Sequence, residues 1–315
     1  MLESLLVADH GLGAARVLLT CRRLGIKSVL AGLSLPDAVP TDATHLADDV
    51  VLLTDVTELG DPVAVVRAAQ AAGVQAIHPG YGPLRADPRL VDEAAKAGMV
   101  GVVTTGVHSP QRTAAALTAH DVPMTPGDTP LRWVYVFGAQ GRIVVLGSAA
   151  VDSRGLLVAG NDDDAPARST AHRLAHAAAA VLALDGVAAV AVGPDGVVDV
   201  VAGLPESHAA WELVTDLDLV ELQLDPPGVA ELDVTTGGVA VGRPGAEIVA
   251  DAGALDDLRA AADADGGGIR FDAVALAGSP HGALVRASAW AEDEAAARAF
   301  LARFPARFPV LAQRS

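Results

Sequence analysis

The chain has 315 residues, with 39 acidic against 22 basic side chains and a formal net charge of −17 at pH 7. This balance argues against a nucleic-acid partner, because phosphate neutralisation requires clustered cations. Its most apolar stretch, residues 175–204, is interrupted by three aspartates and a proline, so we expect no membrane span. A single cysteine, Cys21, excludes an intramolecular disulfide framework, and the N-terminus lacks a secretory pattern. These features predict a cytoplasmic protein.

The first third of the chain has the pattern of a doubly wound α/β domain. Apolar runs that read as strands alternate with segments of helical spacing, an order typical of a parallel sheet covered by helices. Gly25 stands where a C-cap glycine belongs after the first helix. The predicted strands lie at residues 5–8, 28–31, 50–53, 74–77 and 99–104, and the predicted helices end at Leu24, span 62–72 and begin near Pro88.

One glycine-rich turn follows the predicted strand at 74–77. The strand must stop at His78-Pro79, because proline cannot donate a hydrogen bond to a central ladder. Gly80 and Gly82 then allow the backbone to turn sharply around Tyr81. Such turns lie at the carboxyl ends of parallel strands, where α/β domains present ligand-facing loops. Turn chemistry alone fits a ligand loop and a ligand-free turn equally well.

A second glycine-rich turn follows the first strand, at Gly11-Leu12-Gly13. A lone G-x-G pair, without a third glycine and an acidic ribose ligand, is a weak dinucleotide signal. The two turns nevertheless supply all of our ligand-binding candidates: His10, Gly11, Gly13, His78, Gly80, Tyr81 and Gly82.

Both turns lie in segments that resemble the biotin carboxylase family, ATP-grasp enzymes that carboxylate biotin from bicarbonate. Residues 76–82 and Leu84 are similar to its A-I-H-P-G-Y-G-x-L signature, and residues 6–26 resemble its opening strand and helix, with Asp9-His10 in place of Asn-Arg. The resemblance implies an α/β protein in three parts. Residues 1–108 would be the doubly wound, Rossmann-like pre-ATP-grasp domain, 109–225 a truncated ATP-grasp-like α+β region, and 226–315 a small α+β region like the biotin carboxylase C-terminal part.

The parts of the family pattern that carry ATP chemistry are missing from this sequence. Between Gly127 and Leu131 only three residues stand where the family inserts a subdomain with a phosphate loop. The magnesium-binding E-M-N of the family corresponds to residues 202–204, Ala-Gly-Leu, which carry no carboxylate or amide. The only lysines are Lys27 and Lys96, both outside the ATP region. We therefore expect no catalytic residues, no metal site and no cofactor.

Other polar residues have a structural interpretation. We expect Glu206 and His208 to lie in a surface loop rather than to form an acid/base pair, and Cys21 to be packed. The segment from His208 through Glu212 to Leu224 resembles a packing helix of the family. We predict a solvated turn at residues 162–164 and surface positions on strands and turns for Arg132, Arg142 and Arg154.

The resemblance and the missing parts together predict a non-catalytic biotin-carboxylase-like protein. We expect an accessory or regulatory interaction subunit of a biotin-dependent acyl-CoA carboxylase. One alternative is a biotin carboxylase component whose ATP, magnesium and biotin site is completed by a partner chain. A second alternative is a small-ligand sensor that uses the two glycine turns.

The partner surface is predicted from the first helix, through which members of the family dimerise. Leu19 and Arg23 correspond to charged interface positions of the family and are our interface candidates, for a carboxylase subunit or for a second copy of the chain. Leu19 would be exposed together with Leu12 and Arg16, which share its helical face. In the alternative, Leu19 packs beneath a neighbouring strand.

Overall fold

The structure is a computed structural model that describes part of the chain. In this part, no helix is long and apolar enough to cross a bilayer. The described residues are 2–33, 41–127, 129–160, 164–205, 207–215, 217–226, 232, 234, 236–242, 247–249, 268–276, 283–303 and 310–311. The sequence also predicts a helix at residues 255–262, which lies outside them, as do Glu206 and two residues of the predicted 162–164 turn.

A parallel five-stranded sheet occupies the N-terminal third, in the order β4-β2-β1-β5-β6. Leu5 of β1 is paired with Ser28 on one side and with Ala76 on the other, so β1 and β5 end side by side. The elements are β1 (Ser4–Val7), α1 (Gly11–Leu24), β2 (Lys27–Leu33), β3 (Thr41–Asp42), β4 (Asp49–Leu53), α2 (Pro62–Ala72), β5 (Ala76–His78), α3 (Pro88–Lys96) and β6 (Val100–Gly101).

Local sequence explains where the helices of this domain begin and end. Asp61 accepts a hydrogen bond from Val63 N–H at the start of α2, and Pro62 occupies the first helical position. Gly25 and Gly73 end α1 and α2 in the left-handed conformation that glycine adopts without strain. The predicted α1 and α2 are therefore confirmed.

The predicted strand at 99–104 is wrong in length, because β6 has only two residues. Beyond Val102, whose N–H still donates to β5, Val103 N–H turns back to Gly101 O. Thr104 N–H then donates to Arg85 O, outside the sheet. The chain thus leaves the sheet early, and β6 is a short edge strand.

The rest of the chain builds a second, mainly antiparallel sheet. Its main path runs β11-β10-β7-β8-β9-β12-β15-β13-β16, with β14 beside β15 and with β3 of the N-terminal third beside β14. The elements are α4 (Pro110–Ala119), β7 (Arg132–Ala139), β8 (Arg142–Val151), β9 (Leu157–Ala159), α5 (Ala165–Val181), β10 (Gly186–Val192), β11 (Val197–Ala202), α6 (His208–Leu213), α7 (Leu219–Leu224), β12 (Val239–Gly242), β13 (Glu247–Val249), β14 (Gly268–Leu276), β15 (Ala283–Ala291), α8 (Glu294–Arg303) and β16 (Val310–Leu311). Pairing of β9 with β12 carries this sheet across the predicted boundary at residue 225.

The two faces of the second sheet are covered differently. On one face, α5 packs its alanines against Val134, Val136 and Val190. On the other face, Tyr135 and Trp211 are buried in the same core as Leu18 and Cys21 of α1. The N-terminal domain and the antiparallel sheet therefore share one hydrophobic core, and α6 and α7 lie where they meet.

Candidate functional site

Asp9 joins the two glycine turns. It follows β1 and is only 4% exposed. Its Oδ2 accepts the N–H of Tyr81 at 2.8 Å, and its Oδ1 accepts the N–H of His10 at 2.8 Å. The anion held in this corner is therefore the chain's own carboxylate. The glycines around this corner are predicted site residues but Asp9 is not, although its position directly after a buried strand was a usable signal.

Glycine is required at this corner by close approach and by backbone conformation. Gly80 has φ +56°, in the left-handed region, and a Cβ there would collide with the Asp9 carboxylate. A Cβ at Gly13 would meet the same carboxylate, and one at Gly82 would lie 2.7 Å from Pro79 O. Gly11 also has a positive φ of 68°. These glycines thus bring the two loops together around Asp9.

The two candidate histidines differ sharply in environment. The side chain of His10 is 57% exposed, and its pKa is raised by a hydrogen bond with Asp9. His78 is buried, its Nδ1 accepts Gly80 N–H at 2.9 Å, and its Nε2 lies 3.3 Å from Gln223 Oε1. Burial lowers the pKa of His78 to about 4. At neutral pH His78 is therefore a neutral ring that supports the turn.

A chain of polar contacts leads from the Tyr81 turn to α6. The hydroxyl of Tyr81 lies 2.7 Å from His208 Nε2, and His208 Nδ1 lies 3.1 Å from Glu212 Oε2. His208 is fully buried. The prediction of a surface loop is wrong for His208, because the hydrophobic core closes over α6 and shields its ring from solvent.

Arg16 of α1 is the cation of this buried network. Its guanidinium lies 3.2 Å from Glu212 and 2.7 Å from Asp218 of the segment before α7. Thr20 Oγ1 donates to Asp218 at 2.7 Å. Burial opposes ionisation of Asp218, but Arg16 and the hydrogen bonds outweigh it, so the pKa of this carboxyl is lowered. The network therefore ties α1 to α6 and α7, and we refer to it as the α1–α7 clamp.

The interface candidates lie at the outer edge of the α1–α7 clamp. Arg23 pairs with Asp218 at 2.9 Å and with Glu221 at 2.5 Å. Leu19 is 45% exposed, so the alternative in which it packs beneath a strand is wrong. Leu12 and Arg16 are buried, which corrects the expectation that they share its exposed face. The predicted helix is present, but α7 and the hydrophobic core cover Leu12 and Arg16.

Residues 202–204, to which the resemblance assigns the family's magnesium ligands, lie at the end of β11. Ala202 and Leu204 are 3% and 1% exposed, and Gly203 between them has φ +74°. Beside them Tyr135 is fully buried and donates its hydroxyl hydrogen to Ser207 O at 2.8 Å. Ala202 and Leu204 have apolar side chains, so neither offers the carboxylate or amide oxygen that a hard cation usually binds.

The remaining predicted positions divide into confirmed and corrected ones. Cys21 is buried as expected, and burial raises the pKa of its thiol to about 12. Arg142 and Arg154 are exposed. Arg132 is only 7% exposed, so its predicted surface position is wrong. Its guanidinium donates a hydrogen bond at 3.1 Å to Ser148 Oγ of β8, two residues before Ala150, which pairs with Arg132 in the sheet.

Comparisons with known proteins match the sequence of the N-terminal domain and the fold of the chain. The family described as the biotin carboxylase N-terminal domain matches residues 1–105. A pyruvate carboxylase subunit of Methanothermobacter thermautotrophicus is 37% identical over 108 residues, which cover 31% of this chain and 20% of the relative. Biotin carboxylase of Allochromatium vinosum is 32% identical over 142 residues, which cover 42% of this chain and 31% of the relative. The match thus spans less than a third of the length of either curated relative.

Solved structures extend the similarity in fold to nearly the whole chain. The biotin carboxylase domain of Hydrogenobacter thermophilus 2-oxoglutarate carboxylase, a dimer solved with MgADP, ADP and bicarbonate, has a TM-score of 0.77 at 14% identity. The alignment covers 98% of this chain and 91% of that one. Rhizobium etli pyruvate carboxylase has the same TM-score at 19% identity, with 99% of this chain and 36% of that chain covered. The chain is therefore related to the biotin carboxylase family, by sequence over residues 1–105 and by fold over nearly its whole length.

Proposed function

We propose that the protein is a non-catalytic relative of biotin carboxylase that acts as an interaction subunit beside a biotin-dependent acyl-CoA carboxylase. The observation that carries this proposal is the apolar end of β11. Ala202 and Leu204 are buried, and the resemblance assigns the family's magnesium ligands to this segment. Nucleotide-dependent carboxylation requires a divalent cation and cationic side chains on the transferred phosphoryl group. Ala202 and Leu204 supply neither a ligand for the cation nor a positive charge.

The occupied glycine corner supports the same proposal. A phosphate or carboxylate ligand in this corner would compete with Asp9, whose carboxylate accepts the N–H groups of His10 and Tyr81. A second anion beside Asp9 would also meet like-charge repulsion. Hydrogen bonds to Asp9 therefore hold the two loops together, which disfavours the alternative of a sensor that uses these turns.

Binding of MgATP by the isolated chain is the experiment that tests the proposal. Ligand at about one hundred times its dissociation constant stabilises a protein by roughly 2.7 kcal/mol, which thermal melting detects readily. We expect no shift of Tm at millimolar MgATP, with a complete biotin carboxylase as the positive control. A clear shift would contradict the proposal and favour the alternative in which a partner chain completes an ATP site.

The partner surface of the proposal includes Leu19 and Arg23 on α1. Leu19 is a large apolar side chain that is 45% exposed next to the outer ion pairs of Arg23. A homologue named as a carboxylase subunit, and a structural neighbour solved as a dimer, give reason to look for a partner here. The partner would be a subunit of a biotin-dependent carboxylase or a second copy of the chain.

A further inference from the structure

We draw no further inference here: the strongest candidate, the largely apolar cleft of about 300 Å³ that Val102, Phe137 and Leu222 line between the edge of β6 and the end of β7, carries no proposal, because nothing in the structure shows what covers it.

Discussion

The buried ring of His78 makes the stability of the fold depend on pH in a defined window. Burial lowers its pKa from an ordinary 6.5 to about 4, so between these values the unfolded chain binds a proton that the folded chain excludes. The contribution of His78 is complete above pH 6.5 and is lost progressively as the pH falls towards 4. Since a pKa difference of one corresponds to about 1.4 kcal/mol, the full loss is about 3 kcal/mol.

His78→Asn tests this reasoning, because asparagine does not titrate and its Oδ1 can still accept the Gly80 N–H. We expect the free energy of unfolding of the wild type, measured by urea denaturation, to fall more between pH 7 and pH 4.5 than that of the variant. The difference should be about 2–3 kcal/mol. His120→Asn, at an exposed histidine, controls for the loss of a histidine in general. Parallel pH profiles for wild type and His78→Asn would refute the assignment of His78 as a buried neutral ring.

Three further substitutions test the rest of the structure. Gly80→Val should lower the free energy of unfolding by at least about 1–3 kcal/mol from backbone strain alone. The loss should exceed that of Gly73→Val, because Gly73 has a similar φ but open space around it. Equal losses in thermal melting would show that contact with Asp9 does not matter. Arg16→Met should cost about 3–5 kcal/mol because it leaves Glu212 buried without its cation, whereas an unchanged urea midpoint would contradict the α1–α7 clamp. Leu19→Asp should retain the wild-type Tm and lose self-association or carboxylase binding, measured by light scattering and pull-down. Val63→Asp, at a similarly exposed apolar position on α2, should lose neither. Unaltered assembly of Leu19→Asp would remove α1 from the partner surface.

Much of the N-terminal domain could be predicted from its sequence because its signals are local. Asp61 with Pro62 marks the start of α2, and Gly25 and Gly73 mark the ends of α1 and α2. These features act within a few residues of one another. The length of β6 could not be predicted this way, since it is limited by a hydrogen bond from Thr104 to the distant Arg85.

The candidate site was predicted only in part, because its polar contacts are long-range. The glycine turns were visible as turn residues, but their common partner, Asp9, lies 72 residues from Tyr81. The pairing of Arg16 with Glu212 spans 196 residues. Neither contact leaves a pattern in local spacing, and the burial of His208 and Arg132 likewise depends on packing between the two sheets.

Bicarbonate-dependent ATP turnover, measured after assembly with the carboxylase partner, tests the central claim of a non-catalytic interaction subunit most directly. ADP release in the presence of bicarbonate and biotin is compared for the partner with this chain and for the partner alone. The rate of the partner alone is subtracted. The apolar residues at the end of β11 predict that this chain adds no turnover to the assembly. ADP release that depends on bicarbonate and appears only when this chain is present would contradict the account.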